Sequence, residues 1–341
     1  MPQPTQYDVH VNTPLTNISV AYIQEEKSFV ASEVFPNIPV EKQSDLYYKY
    51  VRGQWNTDEM QDRAAGAESA GSGYSLDHTP TYFCKVKALH KDIPDQVRAN
   101  EDTVLSSDRD ATLWLTQKSL IKRERDWTGQ YFTAGVWTTQ ASGVTTGATG
   151  VIAANTSNTV LYWDNPSSTP IEDIRNSKRQ IQLASGGFRA NTAVFSRSVF
   201  DRLLDHPDLV DRIKYGQTAN PQLDPAIVNK RTLAEIFELE RIFVMDGVYN
   251  SAQEGGTETN TFIGGLNALI CYSAPNPGLL TPTAGYTFSW TGMFGMGPMG
   301  NRVSTFRMEW LKSDRVELEM AYAFGLVGAE FGAFFSNVTS S

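Results

Sequence analysis

The 341-residue sequence predicts an α+β chain organised around one long helix. Three features predict it: a helix-compatible run from Thr103 to Thr133 with a thin apolar stripe, a middle stretch from Pro170 to Cys271 in which helix and strand signals alternate, and an alternating hairpin from Val303 to Phe324. Ser106 and Ser107 can cap the long run, and Asp108 and Asp110 place negative charge where the helix dipole favours it. Leu113, Leu120 and Trp127 recur on one face, supported by Thr116, Gln117 and Tyr131, while Lys118, Lys122, Arg123 and Arg125 fill the remainder. Some 25 helical residues span roughly 37 Å, longer than the core of most single domains. A helix of that length with so thin a stripe reads as a spine laid along a surface, its stripe packed on the closing sheet of its own subunit.

Ahead of the spine, apolar and aromatic side chains are dense from Thr13 to Tyr50. Ile18 to Phe29 reads as a short helix, and Pro36 and Pro39 force the following backbone to be extended. Leu46 to Val51 reads as a strand, Ala64 to Tyr74 as a small-residue, glycine-rich tip, and Tyr82 to Leu89 as an alternating strand. Together they predict two long strands joined by a flexible tip, which is marginal alone and needs an external surface. Residues 1–50 thus form an arm whose apolar side chains are to be covered by the rest of the chain or by a neighbouring copy.

Behind the spine, Thr138 to Thr159 is low-complexity Thr, Ala, Gly and Ser and reads as a mobile surface excursion. Thr169 and Pro170 open a helix whose Ile171, Ile174, Ile181 and Ala184 face inward, and Gly186 and Gly187 stop it. Thr192 to Phe195 is a strand, Arg197 to Leu204 and Pro207 to Tyr215 are helices, Thr232 to Glu235 matches a capping box, and Ile242 to Met245 is a strand. In the closing hairpin, Val316, Leu318, Met320, Tyr322 and Phe324 alternate with Arg315, Glu317, Glu319, Ala321 and Ala323, leaving one face wet. Gly292 to Gly300, rich in Met and Gly, reads as a flexible connector.

Composition narrows the function. A formal net charge of −9 disfavours broad gripping of nucleic acid. The two cysteines, Cys84 and Cys271, offer neither a disulfide framework nor zinc spacing and read as small buried hydrophobes. The N-terminus lacks the basic and apolar regions of a signal peptide, and no apolar run approaches membrane-spanning length, so the expected setting is a cytoplasm and no membrane partner. Of the four histidines, His10, His78, His90 and His206, none stands at metal-ligand spacing. No Walker loop, dinucleotide fingerprint or nucleophile elbow is present. No catalytic, cofactor-binding or metal site is expected, and no cofactor. Lys118 to Arg125, KSLIKRER, reads as the solvated face of a helix, with weak, sequence-independent contact to phosphate as its sharper use.

The order of arm, hairpin with flexible tip, spine, α/β unit and closing hairpin resembles the major capsid proteins of tailed bacteriophages, the Hong Kong 97-type fold. ASEVFPNIPVEKQSDLYYKY (31–50) resembles the family's N-terminal arm entering its extended loop. Residues 189–216 and 233–250 resemble the axial domain, and 314–335 the last strands of the peripheral domain. The resemblance implies an arm at 1–50, an extended loop at 51–100, the spine and part of the peripheral domain at 101–169, an axial domain at 170–271 and the peripheral sheet at 272–341. It further implies a non-enzymatic subunit that self-assembles through hexamers and pentamers into an icosahedral virion shell around double-stranded DNA, built in the cytoplasm of a bacterial host. No charged helical segment precedes the arm, so a separate scaffolding protein or none is implied; portal and cement proteins are further partners. Lys85, Lys87 and Asn337 match by position only the lysine-to-asparagine bonds of some relatives. An encapsulin-like compartment shell and a soluble α/β enzyme with scattered catalytic residues are the alternative readings. On the shell reading, Leu113→Asp or Trp127→Asp prevents folding, Lys122→Glu first alters assembly or DNA retention, and deleting residues 1–45 abolishes assembly while leaving Pro170 to Cys271 folded.

Overall fold

The computed structural model describes residues 23–101, 105–149, 152–216, 229–278, 280–293 and 296–340. Pro36 and Pro39 hold the chain extended into β1 (Asn37–Val40). The short pieces β2 (Ser44–Leu46), β3 (Lys49–Tyr50), β4 (Leu76–Asp77) and β5 (Thr81–Phe83) precede a long strand, β6 (Lys85–Pro94). Helices α1 (Asp95–Ala99) and α2 (Ser107–Tyr131) follow. The middle of the chain contributes β7 (Thr139–Val144), β8 (Ser157–Leu161), α3 (Pro170–Ser185), β9 (Thr192–Ser196), α4 (Arg197–Leu204), α5 (Pro207–Gly216) and α6 (Lys230–Phe237). After them come β10 (Arg241–Met245), β11 (Val248–Asn250), β12 (Asn260–Phe262) and β13 (Ala268–Cys271). The last strands are β14 (Gly285–Trp290), β15 (Asn301–Met308), β16 (Ser313–Leu326) and β17 (Gly332–Ser336).

Two sheets carry the molecule. In the first, β16 is the hub: β6 lies antiparallel along one edge from Ser313↔Pro94 to Tyr322↔Lys85. The other edge pairs with β15 up to Asn301↔Met320 and then with β14 from Ser289↔Tyr322, and β1 joins β14 in parallel. The second sheet runs β10-β9-β13-β17-β7-β8. Its strands are apolar on both faces because both are covered. Ala193, Phe195, Ile270 and Phe335 meet helices α3, α4 and α6 through Ile174, Ile181, Val199, Leu203, Leu233 and Phe237. On the opposite face, Val194, Leu269, Cys271 and Phe334 meet Trp127 and Tyr131 of α2 and the segment Phe29, Val30, Ala31, Val34 and Phe35.

The spine is present but its buried line differs from the expected one. Ala111, Leu115, Arg123, Trp127 and Tyr131 are buried, all on one four-residue ladder, whereas Leu113 is 42% exposed. Four residues turn a helix by about 400°, so each step of the ladder rotates about 40° and the line winds around the helix. The seven-residue repeat of Leu113, Leu120 and Trp127 misses this because the two ends of the helix pack on different partners. Near the start, Ala111 and Leu115 pack on Ile93, Val316, Leu318 and Met320. Near the end, Trp127 and Tyr131 have turned to Phe35, at ring distances of 6.0 and 4.7 Å.

Other expectations shift too. The 138–159 excursion is not a loop: β7 and β8 pair in parallel from Gln140↔Ser157 to Val144↔Leu161 at the edge of the six-stranded sheet. Small residues are needed there, since a Cβ on Gly143 would lie 1.9 Å from the Asn337 carbonyl oxygen. The run from Tyr82 to Leu89 divides at Cys84, so that the hairpin keeps only β5 and the long β6 joins β16. Strand β17 belongs with the α/β sheet and not with the closing hairpin. Within the 292–300 connector, the Ala321 amide donates to the Gly300 carbonyl at 2.7 Å, pinning its end to β16. The cap of α6 is Asn229, boxed with Thr232, one turn ahead of the expected Thr232–Glu235 pair. Ser106 and Thr169 occupy the N-cap positions of α2 and α3 without a side-chain cap bond, while Gly186 ends α3 at φ 81° as expected. Of the expected Ile18–Phe29 helix, Ile18 to Tyr22 lie outside the described residues and only Glu26–Ser28 forms a 3₁₀ turn.

These placements change two of the mutational expectations. Leu115→Asp and Trp127→Asp bury a charge and should cost about 4 kcal/mol or more, giving insoluble protein, whereas Leu113→Asp should change stability by about 1 kcal/mol or less in thermal melts. Deleting 1–45 removes Phe29 to Phe35 from the core and should unfold the α/β unit as well.

Candidate assembly surface

The described apolar surface that finds no cover is concentrated on the hairpin between β2 and β5. Its stem is two short ladders, Ser44↔Phe83 to Leu46↔Thr81 and Lys49↔Asp77 to Tyr50↔Leu76. Tyr82 stacks on Phe288 at 4.6 Å and Lys49 Nζ donates to the Val327 carbonyl at 2.6 Å, fixing the base to the first sheet. Beyond the base, Tyr48 is 73% and Met60 95% exposed, and Leu46, Trp55, Tyr74 and Phe83 are exposed as well. Tyr50, Trp55 and Tyr74 form a ring cluster with centroids 5.5 to 5.7 Å apart, which stiffens the limb without covering it. Just beyond β3 the limb touches the body at the end of α3, where Arg52 donates to the Ala184 carbonyl and pairs with Glu330 at 3.3 Å. A second exposed group, Val303, Phe306, Trp310 and Leu311, lies at the β15–β16 turn. An ionic cluster orders that end: Arg307 grips Asp95 at 2.5 Å and Asp314 at 3.2 Å, and Arg98 bridges Asp314 and Asp108.

The arm segment is held by polar groups as well as by its apolar side chains. Glu124 is fully buried and accepts the amides of Val30 at 3.1 Å and Ala31 at 2.8 Å through its two carboxyl oxygens. Gln24 exchanges two bonds with the Val248 backbone, at 2.7 and 2.8 Å, and Ser273 donates to the Val34 carbonyl at 2.6 Å. Burial disfavours the Glu124 carboxylate more than the two amides and Arg123 favour it, so its pKa is pushed up to about 7.

KSLIKRER therefore divides. Lys122 pairs with Asp126 at 2.6 Å on the surface, Arg125 lies over the Tyr249 ring at 4.6 Å, and Arg123 and Glu124 are buried, against the expectation of a wholly solvated face. The sequence signal for Glu124 was its place between Arg123 and Trp127, two turns before Tyr131, on the side that the arm covers. Lys87 pairs with Asp126 at 2.8 Å, Lys85 is exposed on β6, and Asn337 follows β17 on the other sheet. His206 is buried and bonded to Ser168 at 2.9 Å, His78 and His90 lie on the hairpin and β6, and His10 is outside the described residues. Both cysteines are buried, and among the described residues no group of His, Cys, Asp and Glu could hold a metal ion.

Residues 153–281 match the family model for phage major capsid protein E. The major capsid protein of Pseudomonas phage JBD67 is 24% identical over 332 residues, 97% of this chain and 98% of that one. That of Burkholderia phage BcepMu is 29% identical over 176 residues, covering 50% of this chain and 51% of its own. Over nearly its whole length the chain is similar to a phage major capsid protein. Its fold is the Hong Kong 97 type. A phage-related protein from Bordetella bronchiseptica RB50 superposes with a TM-score of 0.65 at 16% identity, over 93% of this chain and 95% of that one. The capsid of cyanophage P-SCSP1u gives 0.59 at 9% identity, over 96% and 93%. An encapsulin complex from Synechococcus elongatus PCC 7942 gives 0.54 at 10%, over 96% and 93%, so the fold is shared with compartment shells while the curated relatives are viral. The relatives named as major capsid proteins and the capsid family model support a structural, non-enzymatic role as a capsid protein.

A carboxyl whose pKa is higher in the folded than in the unfolded state stabilises most when protonated. The Glu124 contribution is therefore complete below about pH 4.5 and is lost as pH rises through about 7, a change of about 3 kcal/mol. Glu124→Gln, which does not titrate, should flatten this part of the stability-versus-pH curve in urea melts, whatever its absolute stability; an unchanged slope would show that the buried carboxyl does not titrate there.

Proposed function

We propose that this capsid protein tiles through hexamers and pentamers into an icosahedral head that encloses double-stranded DNA. The hairpin carries the reading: a limb anchored at its base, lined with Leu46, Tyr48, Trp55, Met60, Tyr74 and Phe83, and uncovered in the subunit. Repeated around a ring, each limb lies on a neighbour, so modest contacts multiply into a closed shell. The unit around the six-stranded sheet acts as the axial domain and meets its copies at ring centres. The sheet organised by β16 acts as the peripheral domain and presents Trp310 and Leu311 to copies in adjoining rings. The net charge of −9 suits a container that holds DNA through weak, sequence-independent contacts. A separate scaffolding protein, a portal and cement proteins are its proposed further partners, and the bacterial cytoplasm its place of assembly. The viral relatives favour this over a cargo-holding compartment.

Expressed alone or with a scaffolding partner, the chain should give closed particles by light scattering and electron microscopy; a persistent monomer under both conditions contradicts the reading. Trp55→Asp, at an exposed position, should keep the wild-type circular dichroism and melt within about 1 kcal/mol of it while sharply reducing particle yield.

A further inference from the structure

Arg123 carries a positive charge into the joint between α2 and β16, where no carboxylate of the described residues meets it. The residue is 8% exposed, and its Nε and Nη2 are both enclosed and without a hydrogen-bond partner among the described residues. The guanidinium carbon lies over the Tyr322 ring, 5.2 Å from its centroid, so one face is covered and the edge is unmet. That edge is the fork that takes a two-oxygen anion, and two other arginines of the molecule use it so. Arg315 sets Nε and Nη2 on the Asp92 carboxylate at 2.6 and 2.9 Å, and Arg302 sets the same pair on Glu319. The carboxyls nearest to Arg123 in the chain are committed elsewhere. Asp126 accepts from Lys122 at 2.6 Å, Lys87 at 2.8 Å and the Tyr322 hydroxyl at 2.9 Å. Glu124 holds the amides of Val30 and Ala31, and adjacent residues of a helix do not face each other. One turn beyond Arg123, the Trp127 indole Nε1 is also enclosed and unpartnered among the described residues.

A guanidinium does not shed its charge in a protein, so burial cannot be relieved by deprotonation. Enclosed without a counter-ion it is strongly unfavourable, and two unpartnered donor groups on consecutive turns of one helix ask for an acceptor. We propose that the Nε–Nη2 fork of Arg123, with the Trp127 indole N–H on the next turn, binds one oxyanion, a carboxylate or a phosphate. Two sources offer this chemistry: phosphate from solution, and Asp8, which lies outside the described residues and is the only Asp or Glu in residues 1–22. Bound there, the anion neutralises Arg123 beside Tyr322 and ties the spine to the strand around which the first sheet is organised. The site lies within one subunit and stands or falls independently of the shell reading.

The unassembled chain, Asp8→Asn, Arg123→Met and Arg123→Lys are melted with and without inorganic phosphate at one pH and constant ionic strength. Where phosphate fills the fork, the wild-type midpoint rises by about 2 °C or more, titration calorimetry gives one phosphate per chain, and Arg123→Met, which keeps the stem without the fork, shows neither. Where Asp8 fills it, the wild type is indifferent to phosphate, Asp8→Asn melts lower and is restored by phosphate, and Arg123→Met removes both effects. Arg123→Lys, which keeps the charge without the fork, loses most of the response and carries the comparison should Arg123→Met fail to fold. A wild type and an Asp8→Asn chain that both ignore phosphate would overturn the proposal, as would a response that survives unchanged in the Arg123 variants.

Discussion

Glu124 and the segment it holds sit where every large part of the subunit meets. The carboxyl fixes the amides of Val30 and Ala31 on α2, and this positions Phe29, Val34 and Phe35 against the uncovered face of the six-stranded sheet. A few residues later the same segment runs into β1 and completes the other sheet beside β14. Without this wedge, Val194, Leu269 and Phe334 would lose the cover that makes their strands apolar on both faces. A buried carboxyl with no such donors would be strongly unfavourable, so the two amides and the wedge depend on each other.

The subunit closes its interior and leaves its attachments open. Both sheets are buried where they face α2, and the helices α3, α4 and α6 finish the α/β side. The hairpin receives the opposite treatment. Its stem has few ladder bonds, its rings stack on one another, and its apolar residues stay in water. A chain that folds alone but is incomplete on its outside is what repeated assembly requires, because the unsatisfied area has to survive until a neighbour arrives.

Much of this was legible in the sequence, and the failures have physical causes. The proline pair, the 25-residue helix, the Pro170 start and Gly186 stop of α3, and the alternation through β16 were read from local rules that tertiary structure did not override. The buried face of α2 was misread because its start packs on the first sheet and its end on the arm segment and the second sheet, which a repeat such as Leu113, Leu120 and Trp127 does not reveal. Strands β7 and β8 were hidden by small residues whose function is close backbone approach, as at Gly143. Glu124 was hidden because a carboxylate in a run of charges looks solvated, and only the distant amides of Val30 and Ala31 make its burial tolerable. The division of Tyr82–Leu89 between two partners depends on pairing with β16, more than 200 residues away, and no local pattern encodes it.

Hydrogen–deuterium exchange compared between the unassembled subunit and the closed particle tests the central claim most directly. The amides of Val30 and Ala31 should be protected equally in both states, while those of residues 46–60 and 74–76 should exchange rapidly in the subunit and become protected in the particle. Protection of Val30 and Ala31 that appears only on assembly, or a hairpin already protected in the free subunit, would contradict an account in which the wedge closes the fold and the hairpin waits for its neighbour.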